Sequence, residues 1–257
     1  MKKYIIALSG LLFTFKAHAT TVEETFDVEI GIFDAAKVHM AYTLTETDYT
    51  FSSQIETAGL FDKFYSFKAS YLTSGFFDKS SLITQKYHQF TQSSAHKRSK
   101  YLVFNPQGTL TKRISTKDDQ QKEVDITLPQ TKIDNFDIQT ALTKLIKNFS
   151  KTNSCDLNQT VFNGKKVYHI TVKDSGRTLL REEKLPVKGQ AYECIAFIHQ
   201  EQVTEGDLLW QVSSERSIKF YLMLDKATDL PFLAKMEIAS TPLGKLEAYM
   251  TDLNIKE

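Results

Sequence analysis

The chain has 257 residues, enough to bury a core in one large β domain or two small domains. Its 32 Lys and Arg nearly balance its 31 Asp and Glu, so the charge gives no overall field that would attract nucleic acid or an anionic membrane surface. No run of 18 apolar residues follows the N-terminal segment, so we expect no transmembrane span there.

The N-terminal segment has the order of a cleaved secretory signal. Lys2 and Lys3 precede an apolar run of residues 4–15. A membrane span needs about 20 residues, so this run is too short for one. Ala17-His18-Ala19 then gives the small-x-small pattern that signal peptidase reads. We therefore predict export to the periplasm, with cleavage between Ala19 and Thr20. The alternative is a buried N-terminal helix of a cytosolic protein.

Cleavage at this point would divide the chain into a signal peptide of residues 1–19 and a single β-rich domain of residues 20–257. The signal contains three lysines and no acid, so the mature chain keeps 29 Lys and Arg against 31 Asp and Glu. A net charge near −2 again argues against a nucleic-acid partner.

The first forty residues of the mature chain predict an antiparallel meander. Apolar side chains occupy every second position in residues 26–32 and again in residues 38–44. Asp34-Ala35-Ala36 is the predicted connection, and residues 49–57 form a third strand. Such alternation is typical of strands with one dry and one wet face.

Residues 60–77 fit two patterns. Leu60, Phe64, Phe67 and Tyr71 recur at helical spacing, while alternate residues from Tyr65 to Tyr71 recur at strand spacing. We favour a turn followed by a strand, because the neighbouring elements are strands and aromatic residues suit them.

Further strands are predicted at residues 83–92 and 98–104. Residues 115–123 contain no apolar side chain and are typical of a solvated loop or a hairpin tip. Later strands are expected at 208–224, 232–240 and 245–255.

One strong amphipathic helix is predicted at residues 137–149. Asp137 stands where a side chain can cap the N-terminus, and Lys144 and Lys147 lie in the later turns, where cations suit the helix dipole. Its apolar stripe consists of Ile138, Ala141, Leu142, Leu145, Ile146 and Phe149. We expect this stripe to pack on the concave side of the sheet.

Cys155 and Cys194 are the only cysteines, and in an exported chain the pair favours a disulfide. Asn163-Gly164 predicts a two-residue type I′ hairpin turn between them, since both central residues of that turn need positive φ. Asp174-Ser175-Gly176 is read as a further turn.

Motifs that carry catalysis or bind metals do not occur in the chain. There is no HExxH, CxxC, G-x-S-x-G, P-loop or G-x-G-x-x-G pattern. No two histidines of the mature chain stand four residues apart, so the sequence supports no metal site and no cofactor. We therefore expect a protein that is not an enzyme.

Phe64, Phe67 and Tyr71 belong to a run of aromatic residues that stands out from the rest of the chain. Core packing is the simpler interpretation of this run. The sharper interpretation is that the run forms the wall of an apolar groove. A sheet of eight or more strands curls, and the helix predicted at 137–149, about 20 Å long, is too short to cover the concave face. These three residues are our candidates for the lining of that groove.

Short motifs lie along nearly the whole mature chain, namely FDVEIGI at 26–32, TAGLF at 57–61, SG at 74–75, FNGKKVY at 162–168, AYEC at 191–194, LP at 230–231 and TPLG at 241–244. In this order they resemble an uncharacterised family of exported bacterial proteins, the domain of unknown function 3108. The resemblance implies a periplasmic, strongly curved antiparallel sheet with one or two packing helices. Such a half-barrel or open barrel is similar to those of periplasmic lipoprotein carriers, and it brings no catalytic residues.

Three functions follow as expectations. The first is a periplasmic protein that binds a lipid-like or acylated ligand in the groove of the curved sheet, for envelope maintenance or transport. The second is an envelope assembly module that binds a protein partner at a sheet edge or in the groove, without a small-molecule ligand. The third, a hydrolase of envelope material, is disfavoured because the chain lacks a nucleophile and base constellation.

Overall fold

A computed structural model describes residues 19–78, 81–201, 217–241 and 244–256. The predicted signal up to residue 18 and most of the predicted strand at 208–224 lie outside these residues. Within them the chain forms fourteen strands and two helices. The strands are β1 Thr20–Ile30, β2 Phe33–Leu44, β3 Asp48–Thr57, β4 Phe67–Asp78, β5 Ser81–Ser93, β6 Lys97–Phe104, β7 Leu110–Lys117, β8 Gln120–Asp125, β9 Leu157–Phe162, β10 Val167–Leu180, β11 Gly189–Gln200, β12 Ile218–Leu224, β13 Pro231–Thr241 and β14 Gly244–Lys256. The helices are α1 Gly59–Phe64 and α2 Ile138–Thr152.

All fourteen strands belong to one antiparallel sheet, which confirms the predicted fold class. The order is β8-β7-β6-β5-β4-β3-β2-β1-β14-β13-β12-β11-β10-β9. Two meanders, one from each half of the chain, therefore meet where β1 pairs with β14. Strands β8 and β9 are the two edges of the described sheet and do not pair with each other.

The sheet curls until its two ends touch through side chains. Leu102 and Leu110 from one end share a buried cluster with Phe162 and Val167 from the other. The Arg113 guanidinium donates a hydrogen bond of 3.0 Å to the carbonyl of Gly164 in the β9–β10 connection. The sheet is therefore barrel-like, although backbone hydrogen bonds do not close it.

Helix α2 lies inside this curved sheet. Ala141, Leu145 and Phe149 pack into a buried cluster with the inner faces of β9 to β12. Helices that cover the concave face of a sheet need such an apolar stripe, and these three residues of the predicted stripe pack while Ile138 and Leu142 stay partly exposed. The helix begins after Asp137, whose side chain accepts a hydrogen bond from the Thr140 N–H, so the predicted cap is also present.

The turns differ from the sequence prediction more than the strands do. The predicted type I′ turn at Asn163-Gly164 is wrong: Phe162 pairs with Val167, so the connection has four residues, and Asn163 lacks positive φ. The Asn163 side chain instead accepts hydrogen bonds from the N–H groups of Lys165 and Lys166. Asparagine favours such local bonds as readily as it favours positive φ.

A two-residue turn with positive φ at both positions occurs at Asp118-Asp119, with φ of 47° and 68°. It joins β7 to β8, so the polar stretch 115–123 forms most of a hairpin, one of the two structures that its composition suggested. Aspartate tolerates the left-handed region because its short side chain bonds locally.

Three other connections need correction. The first hairpin turns at Gly31-Ile32 and not at 34–36, because Gly31 supplies the positive φ that a two-residue turn requires. The predicted turn at Asp174-Ser175-Gly176 is a bulge inside the long strand β10, which continues to Leu180. The predicted turn before β4 is the short helix α1.

Cys155 and Cys194 form the predicted disulfide, with their Cα atoms 6.1 Å apart. Cys155 lies between α2 and β9, while Cys194 belongs to β11. The disulfide therefore links the segment between α2 and β9 to β11, which is separated from β9 by one strand in the sheet. Both cysteines belong to the buried cluster beneath α2.

Replacement of Cys155 by serine should lower the free energy of unfolding by about 4 kcal/mol, because the bond closes a loop of about forty residues in the unfolded chain. Urea denaturation followed by circular dichroism measures this loss. The Cys155→Ser/Cys194→Ser double variant is the control, and it should be about as stable as either single variant. Equal stability of the single variant and the wild type would contradict the prediction.

Candidate functional site

The N-terminus of α2 is fixed by a buried network of hydroxyl groups around Asp137. Its Oδ1 accepts hydrogen bonds from the Thr140 N–H at 2.8 Å and from the Thr73 hydroxyl at 2.9 Å. Its Oδ2 accepts one from the Thr140 hydroxyl at 2.6 Å. Burial raises the pKa of the Asp137 carboxyl, and these hydrogen bonds oppose the rise. Because Thr73 lies on β4, the network fastens α2 to that part of the sheet.

On its apolar side, α2 forms one wall of a cavity of about 270 Å³. We call this the apolar cavity. Strands β1 to β3 and β9 to β13 supply its other walls. It is lined by Glu24, Met40, Tyr42, Phe51, Ile138, Ala141, Leu142, Leu145, Ile146, Leu157, Ile170, Val172, Ala196, Ile198, Ile218, Phe220, Leu222, Pro231, Leu233 and Met236. Glu24 is the only ionisable carboxyl or amine among them.

Glu24 is 3% exposed and accepts a hydrogen bond from the Leu233 N–H. Burial raises the pKa of this carboxyl to about 8, and the Leu233 hydrogen bond opposes the rise only in part. The hydroxyl of the neighbouring Tyr42 donates to the carbonyl of Pro231, and burial raises the pKa of that phenol. The cavity wall is therefore largely uncharged at neutral pH.

A second concavity lies on the inner face of β4 to β8, with a volume of about 1160 Å³. We call this the cationic groove. It is lined by Tyr65, Phe67, Tyr71, Gln89, Thr91, Arg98, Ser99, Lys100, Ser115, Thr116, Lys117, Gln120, Gln121 and Lys122. It includes no residue of α2 and no carboxylate. Its character is therefore opposite to that of the apolar cavity.

The structure brings two of the three predicted groove residues together. Phe67 and Tyr71 both line the cationic groove and are half-buried. Phe64 lies at the end of α1, where it is 82% exposed, and it lines neither concavity. Four cations and several neutral polar side chains line the same groove, so Phe67 and Tyr71 are part of a mixed surface and not of the wholly apolar groove that we expected.

The lining of the apolar cavity was only partly visible in the sequence. Ile138, Leu142 and Ile146 belong to the predicted stripe of α2, which we expected to pack. The clearest missed signal is Glu24, which shares its alternation phase with Val22 and Phe26 and so points to the same face of β1. A carboxylate in the inward phase of a strand is typical of a functional or specially paired group.

Within the described parts of the chain, no three His, Cys, Asp or Glu side chains come together as a metal site would need. None of the helices described there combines the length and the apolar character that a membrane crossing requires.

A family model described as protein of unknown function (DUF3108) matches residues 25–251, so the chain belongs to that family. No curated protein matches the chain. A crystal structure of a beta-barrel-like protein of domain of unknown function DUF1849 from Brucella abortus is similar in fold, with a TM-score of 0.54. The two chains are 12% identical over 93% of this chain and 98% of that one. This similarity shows the barrel-like fold.

The raised pKa of Glu24 predicts a pH dependence of stability. Between about pH 4.5 and pH 8 the folded protein keeps a proton that the unfolded chain has lost, so the free energy of unfolding falls as the pH rises. Glu24→Gln removes this titration and keeps an acceptor for Leu233. The free energy of unfolding of the variant minus that of the wild type should therefore increase between pH 5 and pH 9, by at most about 5 kcal/mol.

Urea denaturation at several pH values measures this difference. Glu23→Gln is the matched control, because Glu23 is the adjacent residue, lies on the outer face and pairs with Lys256. A difference between Glu24→Gln and the wild type that stays constant from pH 5 to pH 9 would contradict the assignment.

Proposed function

We propose that this member of the DUF3108 family is a periplasmic, non-enzymatic protein that binds one apolar chain, lipid-like or acylated, in the apolar cavity. The observation that carries the proposal is the cavity itself, because nineteen of its twenty lining residues are uncharged and most are apolar. Sites for small molecules are typically concave and apolar, with few polar groups. Glu24 would be that polar group here.

The exposure of the helix supports a ligand in this position. Ile138 is 42% exposed and Leu142 is 37% exposed, although both lie on the apolar stripe of α2 and line the cavity. Leaving such side chains in contact with water forgoes about 25 cal/mol for each Å² of apolar surface. A bound acyl chain would cover that surface.

The size of the cavity favours a single slender chain. Its volume is about 270 Å³. Sites for small molecules usually have volumes of about 300–1,000 Å³, so this cavity is slightly smaller. Ten buried methylene groups would contribute about 8 kcal/mol, part of which offsets the lost translational and rotational freedom of the ligand. We therefore expect micromolar affinity.

The alternative is an envelope assembly module that takes a protein segment at a sheet edge. The edge strand β8 supports it, since in the described sheet it pairs only with β7. However, β8 is six residues long and carries Lys122, Glu123 and Asp125. Short, charged edges are typical of strands that resist further pairing, so we favour the ligand-binding function.

Two features support the proposed export. Strand β1 begins at Thr20, the first residue after the predicted cleavage site. The disulfide suits an oxidising compartment such as the periplasm. Neither feature depends on the apolar cavity.

N-terminal sequencing of the protein from a periplasmic extract should therefore begin at Thr20. A cytoplasmic fraction from the same cells is the control and should contain only the small amount of uncleaved precursor. A protein found mainly in the cytoplasm with its first 19 residues intact would contradict export.

Ligand binding can be tested by filling the apolar cavity. Leu142→Trp places an indole in the cavity from a partly exposed helix position, so it should weaken binding of a fluorescent fatty-acid probe at least tenfold without unfolding the protein. Leu72→Trp is the control, because Leu72 is 43% exposed on β4 and lines neither concavity. Fluorescence titration measures both affinities, and circular dichroism checks the fold.

Absence of probe binding to the wild type would contradict the proposed function. Equal binding by Leu142→Trp and the wild type would place the probe outside the apolar cavity and would also contradict it.

A further inference from the structure

We propose that the cationic groove is a second binding site, separate from the apolar cavity, and that it binds a phosphorylated saccharide. The charge of the groove is the first observation. Arg98 and Lys100 on β6, Lys117 at the end of β7 and Lys122 on β8 line it, and the lining contains no Asp or Glu. Because four cations face one concavity, the groove favours an anionic ligand.

These cations form no ion pairs within the described residues, although the carboxylates of Asp118 and Asp137 act electrostatically on Lys117 and Lys100. In the described residues, eleven other basic side chains have a carboxylate oxygen within 4.0 Å. None of these four cations does. Arginine binds phosphate through paired hydrogen bonds, and lysine binds it as a compact positive charge. The unpaired charge is therefore available to a ligand.

Lys100 is the least exposed of the four cations. Its ammonium group is 5.2 Å from the centre of the Tyr87 ring. Burial and the nearby Arg113 guanidinium lower the pKa of Lys100 to about 8. A bound anion would favour the charged form of the Lys100 ammonium. A phosphate group at this position would therefore stabilise the protonated lysine.

Aromatic side chains at one end of the groove point to a saccharide as the carrier of the phosphate. The rings of Tyr65 and Phe67 stack with their centres 6.2 Å apart and an angle of 12° between their planes. Tyr65 is 54% exposed, and Tyr71 lies half-buried further along the groove. Such a flat, exposed aromatic surface can pack against the apolar C–H face of a sugar ring.

The remaining lining suits hydroxyl groups. It consists of neutral donors and acceptors, namely Gln89, Thr91, Ser99, Ser115, Thr116, Gln120 and Gln121. The Gln89 side chain is held by the Tyr87 hydroxyl at 3.3 Å. Hydroxyl and amide groups can both donate to and accept from sugar hydroxyls. At about 1160 Å³, the groove has room for more than one sugar ring.

Single-stranded nucleic acid also binds cations and aromatic rings, but it needs a basic track along which successive bases stack. Here the stacked pair lies at one end only, and the predicted mature chain is close to neutral. The groove therefore favours a short phosphorylated saccharide over an oligonucleotide.

Trehalose 6-phosphate is a suitable probe, because it combines two sugar rings with one phosphate. Isothermal titration of the full mature protein should show at least tenfold tighter binding of trehalose 6-phosphate than of either trehalose or inorganic phosphate alone. The affinity should fall as salt is raised, since salt screens the charges of the partly open groove.

Variants separate the contribution of the phosphate to binding from that of the sugar rings. Arg98→Gln/Lys100→Gln should lose at least tenfold in affinity for trehalose 6-phosphate. The control Lys86→Gln/Lys226→Gln removes the same charge from exposed positions outside the groove and should bind as the wild type does. Phe67→Ala should weaken trehalose 6-phosphate binding and leave binding of inorganic phosphate unchanged.

Three results would overturn the proposal: no binding of trehalose 6-phosphate, binding no tighter than that of inorganic phosphate, or tighter binding of a single-stranded oligonucleotide. Leu142→Trp should leave trehalose 6-phosphate binding unchanged, because Leu142 lines only the apolar cavity. Failure of the cationic groove as a site is therefore distinguishable from failure of the apolar cavity.

Discussion

The buried carboxyl of Asp137 determines how the interior of the sheet is divided. It satisfies first-turn N–H groups of α2 and joins Thr73 on β4 and Thr140 on α2 in one network. The Tyr49 hydroxyl, 3.1 Å from the Thr140 hydroxyl, connects β3 to the same network. A buried carboxyl without such donors would be costly, so the network favours the start of the helix at this position. Its apolar side then faces β9 to β13, where the apolar cavity remains.

Alternation made most strands predictable, and the turns show where local sequence is insufficient. The strands of the first meander and the helix follow from spacing within fifteen residues, whereas the spacing in β4 also fitted a helix and only the neighbouring strands favoured a strand there. By contrast, Asn163-Gly164 and Asp118-Asp119 are both chemically suited to a two-residue turn, and only the second adopts it. A Cβ at Gly164 would come within 3.1 Å of Leu102 and 3.5 Å of Leu110, which belong to the other end of the sheet. The surroundings of this connection therefore include side chains that no short window of sequence contains.

The two concavities were less predictable than the elements that form them. The strand predicted at 98–104 starts at Lys97, and alternation places Arg98 and Lys100 on one face, but the pattern alone does not show what lies opposite them. Lys117 comes beside Arg98 through the register of β6 with β7. The apolar cavity similarly needs β1 to β3 beside β12 and β13, a neighbourhood created by the pairing of β1 with β14. Such long-range pairings cannot be read from periodicity.

The separation of charge between the two concavities has a physical cause. Moving an ionised group from water into an apolar space costs far more than protonating it, so the one carboxyl of the apolar cavity retains its proton. The cations instead line a wider, open groove together with hydroxyl and amide side chains. Binding in the apolar cavity should therefore respond to pH near the pKa of Glu24 and hardly to salt. Binding in the cationic groove should respond strongly to salt, since its charges remain within reach of solvent ions.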